Sequence, residues 1–180
     1  MTVPLDGDGL EAGQFSTWLG GMQAALGGEA GSDVPCGSCT ACCTSSQFVH
    51  IDPDETDTLG SIPPDLLFPA PGLPIGHVVL GYDDRGHCPM LVDRRCSIYP
   101  QRPRACRTYD CRVFAAAGVD LDDERKEAVA GQVRRWRFSF PTETDRDDFE
   151  AVRAAAATAT GNPTQRALLA IEAVATRPTA

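Results

Sequence analysis

Cys36, Cys39, Cys42 and Cys43 fall in the pattern C-x-x-C-x-x-C-C, and Cys88, Cys96, Cys106 and Cys111 follow at wider intervals. Spacings of three bring side chains to one side of a tight loop or helical turn. Several thiolates of the first group can therefore converge without long-range folding, whereas the second group must be gathered by the fold. Soft thiolate donors select zinc, copper(I) or iron–sulfur clusters. The spacing is not that of a zinc ribbon, which shows two separated C-x-x-C pairs. It begins like a bacterial ferredoxin run, but Cys43 follows Cys42 at once, without the three-residue gap and proline. The C-x-x-x-C-x-x-C pattern of radical enzymes that cleave S-adenosylmethionine is absent. Four disulfides are possible by count, but the vicinal pair Cys42-Cys43 argues against them.

A site of several thiolates is anionic and calls for cations nearby. Between Asp83 and Arg112 stand seven arginines, Arg85, Arg94, Arg95, Arg102, Arg104, Arg107 and Arg112, against four acids, Asp83, Asp84, Asp93 and Asp110. The segment is positive in a chain of net charge −9, with Lys126 its single lysine. The same arginines can equally form a solvated loop paired with the acidic remainder. His50 and His87 are alternative nitrogen ligands, His87 the better placed beside Cys88; His77 reads as structural. No hydrolase signature surrounds a Cys–His pair, and a lone nucleophile would not explain eight cysteines. Asp145, Asp147, Asp148 and Glu150 read as a solvated face at a helix start. The fingerprints G-x-G-x-x-G and G-x-x-x-x-G-K-[ST] are missing, which weakens nucleotide-dependent activities.

A hydrophobic fraction of 42% suits an ordinary core, and the acidic pI of about 4.7 makes nucleic acid a poor partner. No run approaches a membrane span. The opening Met1–Asp8 lacks the basic and apolar regions of a secretory signal, so the expected compartment is the cytoplasm, where thiols stay reduced. The Ala-, Arg- and Gly-rich composition is common in chains from GC-rich genomes, and a bacterial source is expected. Phe15, Trp18, Leu19, Met22 and Leu26 recur at helical spacing and predict a helix over 10–26, followed by a Gly-rich linker over 27–35. A strand is expected at 47–51, a helix start at Asp52-Pro53-Asp54-Glu55, and a proline-broken loop at 61–76. Strands at 77–82 and 88–92 form a hairpin around the turn 83–86. The segment 94–112 is irregular, and helices are expected at 121–137, 143–160 and 164–176, the last opening with the capping pattern Asn162-Pro163-Thr164-Gln165. The fold class is α+β: a small cysteine-rich module with a short hairpin, flanked by an N-terminal helix and about three C-terminal helices. Its parts are a tail and helix over 1–35, the cysteine module over 36–114, and a helical extension over 115–180 packed on the same domain.

The paired motifs resemble the CxxCxxCC cysteine-cluster family of zinc- or iron-chelating proteins. The first half of that pattern matches Cys36 to Cys43. The second matches Cys88-Pro89-Met90-Leu91, Cys96-Ser97-Ile98-Tyr99, Arg102-Pro103, Cys106-Arg107 and Tyr109-x-Cys111, with Met90 where an aromatic is more usual. The likeness covers residues 36–114. It implies a metal partner, zinc or iron, held by all eight cysteines, with an iron–sulfur cluster as one form. Arg102 and Arg107 are then expected to support the ligands by donating to carbonyls or sulfurs, and Tyr99 and Tyr109 are expected as ordinary core residues rather than as a wall between the site and water. The family also includes flagellin lysine N-methylases, which implies methyl transfer from S-adenosylmethionine as an alternative, although this chain is shorter than those enzymes. A third reading is an interaction module with a purely structural zinc.

Overall fold

A computed structural model describes residues 9–27, 34 and 38–175; Cys36 and most of the expected linker lie outside them. The elements run β1 (Leu10–Gln14), α1 (Phe15–Leu26), β2 (Val49–Ile51), α2 (Thr56–Ser61), β3 (Leu67–Pro69), β4 (Val78–Leu80), β5 (Leu91–Val92), β6 (Arg95–Cys96), α3 (Arg104–Thr108), α4 (Arg112–Ala117), α5 (Glu127–Arg135), β7 (Trp136–Ser139), α6 (Glu143–Thr158) and α7 (Pro163–Ala175). The architecture is α+β, with an N-terminal helix, small sheets and C-terminal helices. The described residues fall into two compact units. One gathers 9–27, 110–122 and 130–175; the other gathers 34, 38–109 and 123–129.

In the first unit, the expected apolar stripe buries Phe15, Trp18, Leu19 and Met22, while Leu26 stays 36% exposed at the helix end. Phe15 is fully buried and meets Phe138 and Phe149 edge-on, at centroid distances of 5.1 and 5.2 Å. Such tilted aromatic contacts add to area burial. Small residues Ala156, Ala167 and Ala170 line the buried faces of α6 and α7 and let those helices approach closely. The helix does not begin at Leu10 as its periodicity suggests. Residues 10–14 instead form β1, which pairs in parallel with β7. Gly13 sits at φ +93° where the register slips between Glu11 and Gly13, a backbone that glycine adopts at little cost. Likewise the expected helix over 121–137 ends at Arg135, because Trp136-Arg137-Phe138-Ser139 continues as a strand. The segment 94–112, expected to be irregular, instead holds β6 and α3; α4 begins at its last residue and stops at Gly118 with φ +62°.

In the second unit, β4 lies between β2 and β3 in an antiparallel sheet. The hairpin partner of 77–82 is therefore not 88–92. That segment instead contributes β5, which pairs with β6 across the two-residue turn Asp93-Arg94. Both turn residues have positive φ, 47° and 61°, the backbone that matches the twist of a tight hairpin. Strand β3 also falls inside the proline-broken stretch expected to be loop. Ile51, Ile62, Leu80 and Ile98 form the core of this unit, with Cys88, Met90 and Cys96 packed against it. The Asp52–Glu55 signature is half realised. The Glu55 carboxylate accepts the Asp52 N–H at 3.0 Å, but α2 starts only at Thr56, so Pro53 does not occupy its first turn.

Two caps fix the starts of the last two helices. Asn162 and Gln165 exchange backbone and side-chain hydrogen bonds at 3.0 Å each, which fixes the start of α7. At α6, Thr142 and Asp145 form a capping box. Asp145 is not part of a solvated face. It is fully buried, and its Oδ1 also accepts the Ser16 N–H at 2.9 Å at the start of α1. The Thr142 hydroxyl, followed by Ser16, holds this carboxyl well below the usual carboxylate range. A depressed folded-state pKa stabilises the fold above the free value of about 4 and loses that stabilisation as acid protonates the folded carboxyl. Asp145→Asn is therefore expected to lower the melting midpoint by several degrees at neutral pH. The difference from wild type should shrink as pH falls below 4. Melting curves across that range measure it, and a gap independent of pH would remove the charge from the explanation.

Candidate metal centre

Local hydrogen bonding shapes the first cysteine segment. Cys42–Thr44 form a single 3₁₀ turn, with Thr44 N–H donating to Ala41 and Ser45 N–H to Cys42, both at 3.3 Å. The Ser45 hydroxyl, in a fully buried residue, donates back to the Ala41 carbonyl at 2.7 Å, and the Thr44 hydroxyl reaches Thr40 at 3.1 Å. Two hydroxyl side chains thus tighten the turn that presents Cys42 and Cys43. Cys39, Cys42 and Cys43 are all half-buried.

The second segment is held by the β5–β6 hairpin. Leu91 N–H closes a turn on the Cys88 carbonyl at 2.9 Å, and Ser97 N–H reaches Met90 at 2.8 Å. Cys88 and Cys96 consequently sit beside one another on the Ile51–Leu80 core. Burial pushes the Cys88 thiol up, and nearby Cys96 pushes it the same way; the backbone N–H groups of Met90 and Leu91 pull against this. Donors aimed at a sulfur favour its thiolate. Cys88, in addition, donates its own backbone N–H to the Cys43 carbonyl at 2.7 Å, which ties the two cysteine segments together. Cys106 lies in the first turn of α3, its N–H on the Pro103 carbonyl at 2.9 Å. Val34 N–H donates to the Arg107 carbonyl at 2.7 Å, so the chain shortly before Cys36 is fastened to the helix of Cys106.

The cations take distinct places. Arg102 is buried, lies 4.0 Å over the Tyr99 ring, and donates to the carbonyls of Tyr99 at 2.9 Å and Val34 at 3.4 Å. It fastens chain near the ligands through carbonyls. Arg107 instead approaches the Glu55 carboxylate, at 4.0 Å. Arg85 pairs with Asp83 and Arg104 with Asp52 and Asp54, so much of the local positive excess is taken up by acids. Lys126 was not singled out as a site residue. Its ammonium donates to the Ser45 and Ser46 carbonyls at 2.7 and 3.2 Å, just past the Cys42–Thr44 turn, and feels the attraction of Cys42. Burial pulls its pKa down. The signal in the sequence was its chemistry: one compact, three-donor cation among arginines.

Cys111 belongs to the other unit. The Trp136 indole N–H donates to its sulfur at 3.2 Å. Adjacent Asp110 is buried, holds Arg112 in a two-pronged pair at 2.9 and 2.7 Å, and accepts the Trp18 indole N–H at 2.8 Å. Among the described residues, the one set of three ligand-type atoms within 4.8 Å of one another is His50, Asp52 and His77. His87 uses its backbone N–H on Asp83 at 2.9 Å.

A family model described as "Putative zinc- or iron-chelating domain" matches residues 35–130, more than half of the chain. The match takes in both cysteine segments and Lys126. No curated protein and no solved structure matches. Among the described residues, no helix is long and apolar enough to cross a membrane.

The Asp110 network gives a test independent of any metal. Removing one partner of a buried pair leaves the other charge uncompensated. Asp110→Ala is expected to destabilise the protein by about 3 kcal/mol, read from urea unfolding. A loss no larger than that of an exposed substitution would show that the pair does not anchor α4.

Proposed function

We propose, for a chain that belongs to the CxxCxxCC family, that its cysteines hold zinc or iron in sites mixing ligands from the two segments. The chain carries the family's zinc- or iron-chelating domain. Cys39, Cys42, Cys43, Cys88, Cys96 and Cys106 are the thiolate donors whose surroundings support this reading; Cys36 and Cys111 join them on the motif. The observation that carries it is the Cys88 N–H to Cys43 carbonyl bond, with Cys96 beside Cys88. Chain segments remote in sequence are fastened to each other at the ligand positions themselves.

The donor set fits a soft or borderline metal. Two backbone N–H groups aimed at Cys88 and an ammonium near Cys42 are the compensation that thiolate charge requires. Arg102 then acts by fixing the backbone next to the ligands, and Lys126 by placing positive charge at the cysteine turn. A metal bridging the segments would close the loop between them and stabilise a small core. An iron–sulfur cluster, a purely structural zinc in an interaction module, and a cluster that takes part in methyl transfer are alternative forms of that chelating function.

Anaerobic purification with elemental analysis and a visible spectrum separates the first two. Brown protein containing iron and sulfide marks a cluster; colourless protein containing zinc marks the ion. Calorimetry with S-adenosylmethionine reads the third, and absence of heat at large excess removes it. Cys88→Ser and Cys106→Ser are each expected to release metal and lower the melting temperature. Because the Cys88 thiol is pushed up by burial and must lose its proton to bind, affinity should rise with pH through the neutral range. Unchanged metal content and melting temperature in both variants would defeat the proposal.

A further inference from the structure

We propose that His50, Asp52 and His77 form a separate, thiolate-free site for a divalent transition-metal ion such as zinc or iron(II). None of its donor atoms comes from a cysteine.

Strand alternation assembles the site. Residues 50 and 52 point to the same side of β2, as successive side chains on a strand alternate. The antiparallel register pairs His50 with Val79 and Ile51 with Val78, and one further step sets Asp52 opposite His77. His50, Asp52 and His77 therefore share one face of the sheet. Ile51, Val78 and Leu80 occupy the other, against the core on which Cys88 and Cys96 pack.

The three donor atoms form a compact triangle. His50 Nε2 lies 3.0 Å from His77 Nδ1, His77 Nδ1 lies 3.3 Å from Asp52 Oδ1, and His50 Nε2 lies 3.9 Å from that same oxygen. Zinc bonds of about 2.0–2.1 Å in a tetrahedron place neighbouring donor atoms roughly 3.3 Å apart. The observed edges bracket that value. A shared proton between the imidazoles satisfies only one edge of the triangle; a cation at its centre satisfies all three.

The surroundings suit a ligand set. Arg104 donates to the other oxygen, Asp52 Oδ2, at 3.0 Å, which fixes the carboxylate and leaves Oδ1 turned to the histidines. A hydrogen-bonded carboxylate ligand is the usual support around a bound metal. The rings lie nearly parallel, at 10° and a 5.2 Å centroid distance. Side-chain exposures of 37%, 30% and 23% for His50, Asp52 and His77 leave a solvent-facing side for a further ligand. Two imidazoles, a carboxylate and an open position are the donor set of catalytic zinc and of non-haem iron(II) sites, in contrast to the soft cysteines.

The test uses the full chain and zinc. Metal counting and calorimetry should find one more zinc per chain in wild type than in His50→Ala/His77→Ala. Asp52→Asn should weaken that step by roughly tenfold or more. Cys88→Ser/Cys96→Ser should retain it. In wild-type protein, zinc should shift the imidazole nitrogen resonances of His50 and His77 together, a readout that stands even if a variant fails to fold. Repeating the titration with iron(II) under anaerobic conditions identifies which ion is bound more tightly. Equal zinc counts in wild type and the histidine variant, imidazole signals unmoved by excess zinc, or loss of the step in the cysteine variant would each overturn the assignment.

Discussion

A single backbone hydrogen bond, from Cys88 N–H to the Cys43 carbonyl, ties the two cysteine segments to each other. Each side chain near it is placed by short-range structure that could form elsewhere. The 3₁₀ turn needs only Thr44 and Ser45, and the β5–β6 hairpin needs only its two-residue turn. What neither can do alone is bring sulfurs from the two segments into one region. The bond between them joins the backbone of Cys88 to that of Cys43, and a second bond, from Val34 N–H to the Arg107 carbonyl, joins the chain ahead of the first segment to the helix of Cys106. Both bonds run through main chain alone. Burial of a thiol against isoleucine and leucine opposes its ionisation, so a bare Cys88 keeps its proton more tightly than a free cysteine. A cation bound there would reverse that balance, which couples occupancy to folding.

Charge follows the same logic. The surplus of arginines around the second cysteine segment is a poor measure of the potential at the thiols, because Arg85, Arg104 and Arg112 are matched to Asp83, Asp52 with Asp54, and Asp110. These pairs order loops. Arg102 contributes through its planar fork, gripping two carbonyls while stacked on Tyr99. Lys126 lies just past the cysteine turn, where its compact ammonium fits against two carbonyls and a guanidinium would need a flat slot.

Local signals in the sequence were read correctly where the chain decides its own conformation. The Phe15–Met22 stripe, the Asn162–Gln165 cap and the C-terminal helices all depend on neighbours within a turn or two. Failures cluster where a partner is remote. Leu10–Gln14 continues a helical pattern until Gly13, and only pairing with Trp136–Ser139 makes it a strand. Val78–Leu80 looks like half of a hairpin, yet its partners are β2 and β3. Asp93-Arg94 hides a tight turn because neither residue is glycine or asparagine. Asp145 reads as one acid in a solvated run; its burial follows from the Ser16 N–H it caps, far away in sequence. The family's cysteine pattern was legible from spacing, while the division that leaves Cys111 with the helical unit was not.

The three-stranded sheet explains how one small unit can offer two kinds of donor. Period-two alternation forces adjacent residues of a strand to opposite faces. Ile51 therefore turns to the apolar side, where Cys88 and Cys96 are sheltered, and by the same geometry His50 and Asp52 turn to the side open to water. Moving β2 by one residue would exchange the faces and put an aspartate against isoleucine and leucine, at a cost of several kcal/mol for an unpaired buried charge. The apolar core thus fixes the register, and the register brings His77 opposite Asp52 as a consequence. Sulfur donors on one side and nitrogen and oxygen donors on the other are kept apart by the same hydrogen-bonded strands.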